Sequence, residues 1–165
     1  MYRTTDGGES WSEMPTEEYL RYIHDIEVDP DDSNTIYAGT RQEYDDVREE
    51  LFPGGVYKST DGGSTWSLKS AGWPGDKRIA VSDIIVDPRD TDVVYASTYD
   101  HPYHDHYAAP GIFVTVDGGE TWRTLNEGLP MLCVETLELD PARDILYAGT
   151  QGSSLFMREL GDLRE

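Results

Sequence analysis

The chain has 165 residues, with 33 Asp or Glu against 13 Lys or Arg and a formal net charge of −20 at pH 7. Nucleic acid requires a basic surface, so this balance excludes it as a partner. No stretch approaches the about 18 consecutive apolar residues that cross a bilayer, so we expect no membrane insertion. The 37% apolar residues suffice for one domain, and the single cysteine, Cys133, cannot form a disulfide within the chain.

The basic residues are mostly arginine, because only Lys58, Lys69 and Lys77 are lysines. Acid-rich, lysine-poor surfaces resemble those of proteins from salt-loving organisms. Since salt screens the self-repulsion of such a charge, we expect the melting temperature to rise between dilute and molar salt. A flat melting curve over that range would contradict this. The polar opening MYRTTDGGES resembles no signal peptide, so we expect a soluble cytoplasmic protein, or an extracellular one if the natural N-terminus lies upstream.

The first motif in chain order is TTDGGESW at residues 4–11, which returns as STDGGSTW at 59–66 and TVDGGETW at 115–122. Its aspartates, Asp6, Asp61 and Asp117, lie about 55 residues apart. The Asp carboxylate can accept hydrogen bonds from the backbone of its own turn, and paired glycines adopt positive φ without a steric clash. We therefore predict a structural turn at each copy, covered by the tryptophan that opens the next strand. The residues concerned are Asp6, Gly7, Gly8 and Trp11; Asp61, Gly62, Gly63 and Trp66; and Asp117, Gly118, Gly119 and Trp122.

A second repeated element places an apolar run before Asp-Pro, a polar turn and another apolar run, at residues 26–40, 84–98 and 137–150. Together the two elements predict four short antiparallel strands, A to D, in each repeat. Helical periodicity is nearly absent, and only DDVREELF, residues 45–52, is predicted to form a turn or two of helix. The pattern indicates an all-β protein made of β-propeller blades. We assign one domain, 1–165, of about three blades: a partial blade 1–20, blades 21–72 and 79–128, and a partial blade 131–160.

The motif S/T-x-D-G-G-x-x-W resembles the Asp-box, or bacterial neuraminidase repeat. This superfamily of propellers includes sialidases, xyloglucan-degrading tandem propellers, sortilin-type receptors and photosystem assembly factors. The VDP…YAGT and NEGLP segments are similar to the same superfamily. The resemblance implies the propeller fold and a structural role for the boxes, on the face away from the active site. It leaves the function open, because one fold serves many functions.

The strand order predicts that the chain opens within a C strand and closes after strands A, B and C. Three blades do not close a ring, since propellers carry about 4 to 8. Two explanations remain open. Two chains form a six-bladed ring, each giving its N-terminal D strand to the last sheet of the other, or the chain is part of a longer protein.

Long B–C loops at residues 41–53 and 99–110 make one face of the predicted propeller variable, and binding usually occurs on such loops. The second loop contains His101, His104 and His106, which could hold a divalent transition metal, although their spacing matches no zinc signature. The alternative is a solvated loop. Otherwise we expect no cofactor.

The same loops are rich in aromatic side chains beside carboxylates, which suits sugar rings, although these aromatics could equally serve in packing. Arg41 is the only arginine that directly follows a YAGT-type strand. The predicted ligand-binding residues are Arg41, Tyr44, Trp73, Tyr99, Tyr103 and Tyr107.

Hydrolysis of a glycosidic bond needs two carboxylates flanking it. Asp25 and Asp83 occupy the same place on the predicted inner strand A of successive blades, and Glu135 lies close to the corresponding place in the third. These three are the candidate catalytic residues, with solvated channel residues or partners of arginine as the alternative. Asp25 follows His24, which we interpret as a structural histidine.

The sequence therefore favours a non-enzymatic binding or scaffold propeller that presents its variable loops to a glycan or a protein. The alternative is a propeller-type glycoside hydrolase whose site is complete only when the ring closes.

Overall fold

The computed structural model describes residues 2–14, 20–75, 79–100, 109–152, 154–161 and 163. In these residues the fold is all-β, with antiparallel pairing throughout. The strands form two four-stranded sheets, one three-stranded sheet and two hairpins. This confirms the predicted fold class.

The N-terminal hairpin consists of β1 (Tyr2–Arg3) and β2 (Ser12–Glu13). The next six strands are β3 (Ile23–Val28), β4 (Ile36–Thr40), β5 (Glu43–Asp45), β6 (Glu50–Phe52), β7 (Gly55–Ser59) and β8 (Ser67–Lys69). Strands β3, β4, β7 and β8 pair in that order as blade I, and β5 and β6 form a separate hairpin in its B–C loop.

The β5–β6 hairpin replaces the helix predicted at residues 45–52, and that prediction is wrong. Asp45 accepts hydrogen bonds from the backbone N–H groups of Val47 and Arg48, and Glu49 takes a φ of 54°, so the backbone reverses. Phe52 is buried with 2% exposure and anchors the second strand. Turn chemistry and this anchor outweigh the helical propensity of the short charged segment.

Blade II is built from β9 (Val81–Val86), β10 (Val94–Thr98), β11 (Ile112–Thr115) and β12 (Arg123–Thr124). Blade III is the three-stranded sheet of β13 (Val134–Asp140), β14 (Ile145–Thr150) and β15 (Leu155–Glu159). β9 contacts both β3 and β13, so the first strands of the three blades lie side by side. Apolar side chains fill the spaces between successive blades. This is the radial stacking of a propeller.

The three DGG turns have the same hydrogen bonds. In the second turn Ser59 Oγ donates to Asp61 Oδ1 at 2.9 Å, and the N–H of Gly63 donates to Ser59 Oγ at 2.9 Å. Thr65 donates twice to Asp61, from its backbone N–H at 2.8 Å and from its hydroxyl at 2.7 Å. The turns at Asp6 and Asp117 repeat this pattern, and all six glycines have positive φ.

The tryptophans of the three turns differ in burial. Trp66 and Trp122 are 5% and 4% exposed, and each donates its indole N–H to the second glycine carbonyl of its own turn. Trp11 is 61% exposed. The prediction that the tryptophan covers its turn therefore holds in blades I and II but not in the N-terminal hairpin.

Candidate functional site

The inner strands line an open acidic groove of about 430 Å³. Its carboxylates are Asp25 and Glu27 from β3, Asp83 from β9 and Glu138 from β13. They face the groove because successive residues of a strand alternate between its two sides. Two of the three predicted catalytic residues, Asp25 and Asp83, are thus brought together here.

Both aspartates bind the backbone of the next blade. Asp25 Oδ2 accepts the N–H of Ile84 at 2.8 Å. Asp83 Oδ2 accepts the N–H of Leu137 at 2.7 Å and the hydroxyl of Thr136 at 2.9 Å. Each carboxylate therefore ties its inner strand to the following one.

The position assigned to Glu135 requires a correction. Asp25 pairs with Gly39 and Asp83 with Ser97, and the corresponding pair in blade III is Thr136 with Gly149. Glu135 precedes that position, at an irregularity in the strand pairing, and it is absent from the lining of the groove. The groove consequently has a threonine, Thr136, at the place equivalent to Asp25 and Asp83, and Glu135, which was predicted close to this place, lies one residue before it and outside the groove.

The groove raises the pKa of two of its acids. Burial raises the pKa of Asp25, the Ile84 hydrogen bond lowers it, and the charge of Asp83 and a hydrogen bond with its side chain raise it further. Burial and then the charge of Asp25 raise the pKa of Glu27.

In the DGG turns the pKa values of the aspartates shift in the opposite direction. The Thr65 hydrogen bonds lower the pKa of Asp61 to about 2, and in Asp117 burial is outweighed by Thr115 and Thr121, which lower the pKa to about 2.

These shifts predict a stability maximum in mild acid. A carboxyl with a raised folded pKa destabilises the fold when charged, so protonating Asp25 and Glu27 as the pH falls towards their raised pKa values stabilises it. A carboxyl with a lowered folded pKa stabilises the fold above its ordinary pKa, and this contribution is lost as the pH falls towards the lowered pKa. Protonation of Asp61 and Asp117 between about pH 4 and 2 therefore destabilises the fold. We expect the melting temperature at constant salt to be higher near about pH 5 than at pH 7 or 2.5.

Glu27→Gln is the matched control, because it removes one of the repelling charges and should reduce the difference between about pH 5 and 7. A wild-type melting temperature that rises steadily up to pH 7 would contradict the prediction.

A second group of side chains gathers at the loop end of the inner strands. We define the mouth cluster as Tyr22, His24, Arg41, Tyr99 and Glu135. Tyr22 directly precedes β3, His24 lies in β3, Arg41 directly follows β4, Tyr99 directly follows β10 and Glu135 lies in β13. The cluster therefore draws on all three blades, and it contains Arg41, Tyr99 and Glu135 from the predicted candidates.

Aromatic and polar contacts join Tyr22 to Arg41 and His24 to Tyr99, whereas Glu135 acts on Tyr99 through its charge. The Arg41 guanidinium lies over the Tyr22 ring, 5.0 Å from its centroid. Tyr99 Oη and His24 Nε2 are hydrogen-bonded at 3.0 Å, and their rings meet edge to face. Burial raises the pKa of Tyr99, a hydrogen bond from Arg41 lowers it, and the charge of Glu135 raises it.

Tyr22 is the strained residue of this cluster. Its φ is 53°, a left-handed conformation that a bulky aromatic residue rarely adopts, and its carbonyl accepts the backbone N–H of Arg41 at 3.2 Å. It is 38% exposed, and the Arg41 side chain, which also pairs with Glu43 at 3.2 Å, is 23% exposed. Strained, partly exposed residues concentrate at binding sites. Sequence reasoning missed Tyr22, and its place in a variable D–A connection was the available signal.

The remaining predicted ligand-binding residues lie elsewhere. Trp73 stacks on Phe113 with centroids 4.0 Å apart and packs between blades I and II, so it has the packing role that the prediction left open. Tyr44 is 44% exposed on the β5–β6 hairpin. Tyr103, Tyr107 and the three predicted metal ligands, His101, His104 and His106, lie outside the described residues. The described part of the chain holds no group of three or more His, Cys, Asp or Glu side chains arranged for a metal ion.

Comparison with known proteins agrees with this repeat architecture. The family profile described as Sortilin, neurotensin receptor 3 matches residues 1–154. The chain belongs to the Sortilin-Vps10 family. A search of curated proteins found no match. Among the described residues of this Sortilin-Vps10 chain, no helix is long and apolar enough to cross a membrane.

Solved structures similar to this Sortilin-Vps10 chain include two enzymes. An ancestral GH74 enzyme has 22% identity and a TM-score of 0.67 over 94% of this chain and 19% of its own. The GH74 xyloglucanase from Xanthomonas campestris has 19% identity and a TM-score of 0.69 over 98% of this chain and 24% of its own. The chain thus spans about a fifth to a quarter of their length, and at this identity the likeness concerns the fold alone.

Proposed function

We propose that the chain is a non-enzymatic binding module that presents its mouth cluster and the adjoining loops to a glycan or a protein. The observation that carries this proposal is the convergence of Tyr22, His24, Arg41, Tyr99 and Glu135 from three blades on the face of the variable loops. Aromatic rings beside an arginine and a carboxylate can stack on a ligand ring and hydrogen-bond its polar groups. The family description names a receptor, which agrees with a binding role.

The use of the groove acids supports the same proposal. Asp25 and Asp83 each accept a backbone hydrogen bond from the next inner strand, so part of each carboxylate is committed to holding the blades together. A nucleophile or proton donor needs its reacting oxygen directed at the substrate.

The second candidate is a glycoside hydrolase acting in the groove. It is favoured by the raised pKa of Asp25 beside Asp83, because a carboxylic acid next to a second carboxylate is the pair that such hydrolysis uses. The GH74 structures share this fold.

One pair of assays separates the two candidates. The chain is applied to an array of neutral and acidic oligosaccharides and incubated with a panel of glycosidase substrates. We expect binding without turnover, and we expect Tyr99→Ala to weaken binding to the captured oligosaccharide by at least about tenfold, because it removes a ring from the mouth cluster.

Arg123→Ala is the control, since Arg123 is exposed on β12, outside the mouth cluster. Turnover that Asp83→Asn abolishes while the melting temperature is maintained would establish the hydrolase instead. If no oligosaccharide binds, the ligand of the binding module is a protein. If Tyr99→Ala binds the captured oligosaccharide as tightly as the wild type, the mouth cluster is not the binding site.

A further inference from the structure

Blade III contains a pocket at the place where blade II holds its box tryptophan. The pocket lies between blades II and III, beside β15. Its apolar lining is Ile112, Leu125, Leu129, Leu146, Ala148 and Phe156.

The repeat identifies what this pocket is shaped to hold. Trp122 packs with Val56, Val94, Ala96 and Phe113 between blades I and II. Strand pairing makes the surroundings equivalent, because Ala96 pairs with Phe113 as Ala148 pairs with Phe156. By the same register Val94 corresponds to Leu146 and Val56 to Ile112. The pocket is therefore the site of a box tryptophan, one blade further on.

The contact from the preceding blade is also repeated. The Trp122 ring meets the Trp73 ring edge to face at 5.7 Å, and Trp73 lies in the segment SAGWP that connects blade I to blade II. The corresponding segment after blade II is NEGLP, whose Leu129 lines the pocket. Leucine is smaller than tryptophan, so the contact with Leu129 leaves more room for an indole than the contact with Trp73 does.

The chain has one box tryptophan without such a site. Trp11 is 61% exposed, whereas Trp66 and Trp122 are 5% and 4% exposed. The strand that follows it, β2, pairs Glu13 with Tyr2 and Ser12 with Arg3. In blade II, Thr124 pairs with Phe113 and Arg123 with Val114 in the same register. β2 therefore has the register of a D strand beside a C strand such as β15.

We propose that β2 of a second copy pairs with β15, and that the partner's Trp11 fills the pocket beside Leu129 and Phe156. The exchange is reciprocal, so it produces a two-fold dimer in which each blade III gains a D strand. The exchange gives up the β1–β2 pairing, which covers two residue pairs on exposed strands, together with the hydrogen bonds of the exposed turn at Asp6 that joins these strands. In return, Trp11, which is 61% exposed within one copy, is buried, and the edge of β15 gains a partner.

Light scattering of the 165-residue chain in molar potassium chloride tests the proposal, because salt screens the repulsion between two chains of charge −20. We expect twice the chain mass of 18.6 kDa at micromolar concentration. A single-chain mass under these conditions would overturn the proposal.

Two variants test the site itself. Trp11→Ala should raise the dimer dissociation constant by at least about 100-fold, because it empties both pockets. Met157→Glu should do the same by placing a charge at the pocket, and both residues are exposed within one copy, so the monomer should still fold. Val47→Ala, at a position 94% exposed on the β5–β6 turn, is the control. Dissociation constants within about threefold of wild type for both site variants would show that any dimer forms by another surface.

Discussion

Trp122→Ala is expected to lower the free energy of unfolding by about 3–5 kcal/mol. The side chain is 4% exposed, packs against Trp73 and Phe113 between blades I and II, and donates its indole N–H to Gly119 at 3.1 Å. Truncation leaves a cavity in the blade interface and removes a buried donor together with its bond. For a chain of this size the melting temperature should fall by roughly 6 to 20 °C, measured by circular dichroism.

Val116→Ala is the matched control for this variant. Val116 lies in the same turn but is 50% exposed, so its truncation should change the free energy of unfolding by less than about 0.5 kcal/mol. Similar losses for the two variants would mean that the tryptophan stabilises its turn only locally and not the contact between blades.

Arg89→Ala has the second largest expected effect, because Arg89 joins the A–B turns of blades II and III. It binds both oxygens of Asp87 at 2.8–2.9 Å, Asp144 at 2.8 Å and the Pro141 carbonyl at 2.7 Å. Hydrogen bonding to Asp87 raises the pKa of this guanidinium further. Asp87 is fully buried, so removal of the arginine leaves a buried carboxylate without its main partner. Because the Arg89 side chain is 26% exposed and water can enter, we expect a loss of about 2–3 kcal/mol, below that of a fully buried pair.

Arg143→Ala provides the comparison, since its side chain is 73% exposed and lies 3.7 Å from Asp140. Exposed pairs of this kind contribute at most about 1 kcal/mol. Chemical denaturation of both variants at the same salt concentration measures the difference. An Arg89→Ala protein as stable as Arg143→Ala would show that the two turns are held by packing alone.

The candidate site was only partly accessible to sequence reasoning. Arg41 was predicted because it follows strand B in a recognisable repeat, and Tyr99 because it is an aromatic residue of a long B–C loop; both belong to the mouth cluster. Tyr22 was not predicted, because no local sequence pattern indicates that its ring lies under the guanidinium of Arg41, which follows the next strand. Asp25 and Asp83 were found by their equivalent positions, but their hydrogen bonds to Ile84 and Leu137 depend on how one blade sits against the next.

The sequence by itself determined the local structure of this protein. The DGG turns, the short strands and the four-strand repeat follow from glycine conformation, from side-chain capping of the turn by Asp61 and its counterparts, and from strand periodicity. These depend on neighbours a few residues apart. The tertiary structure alone decided that residues 45–52 form a hairpin, that Trp73 packs between blades and that Thr136 rather than Glu135 continues the aspartate series. The reason is that burial of Phe52, which anchors the hairpin, the packing of Trp73 and the register of β13 all depend on contacts that strand periodicity does not contain.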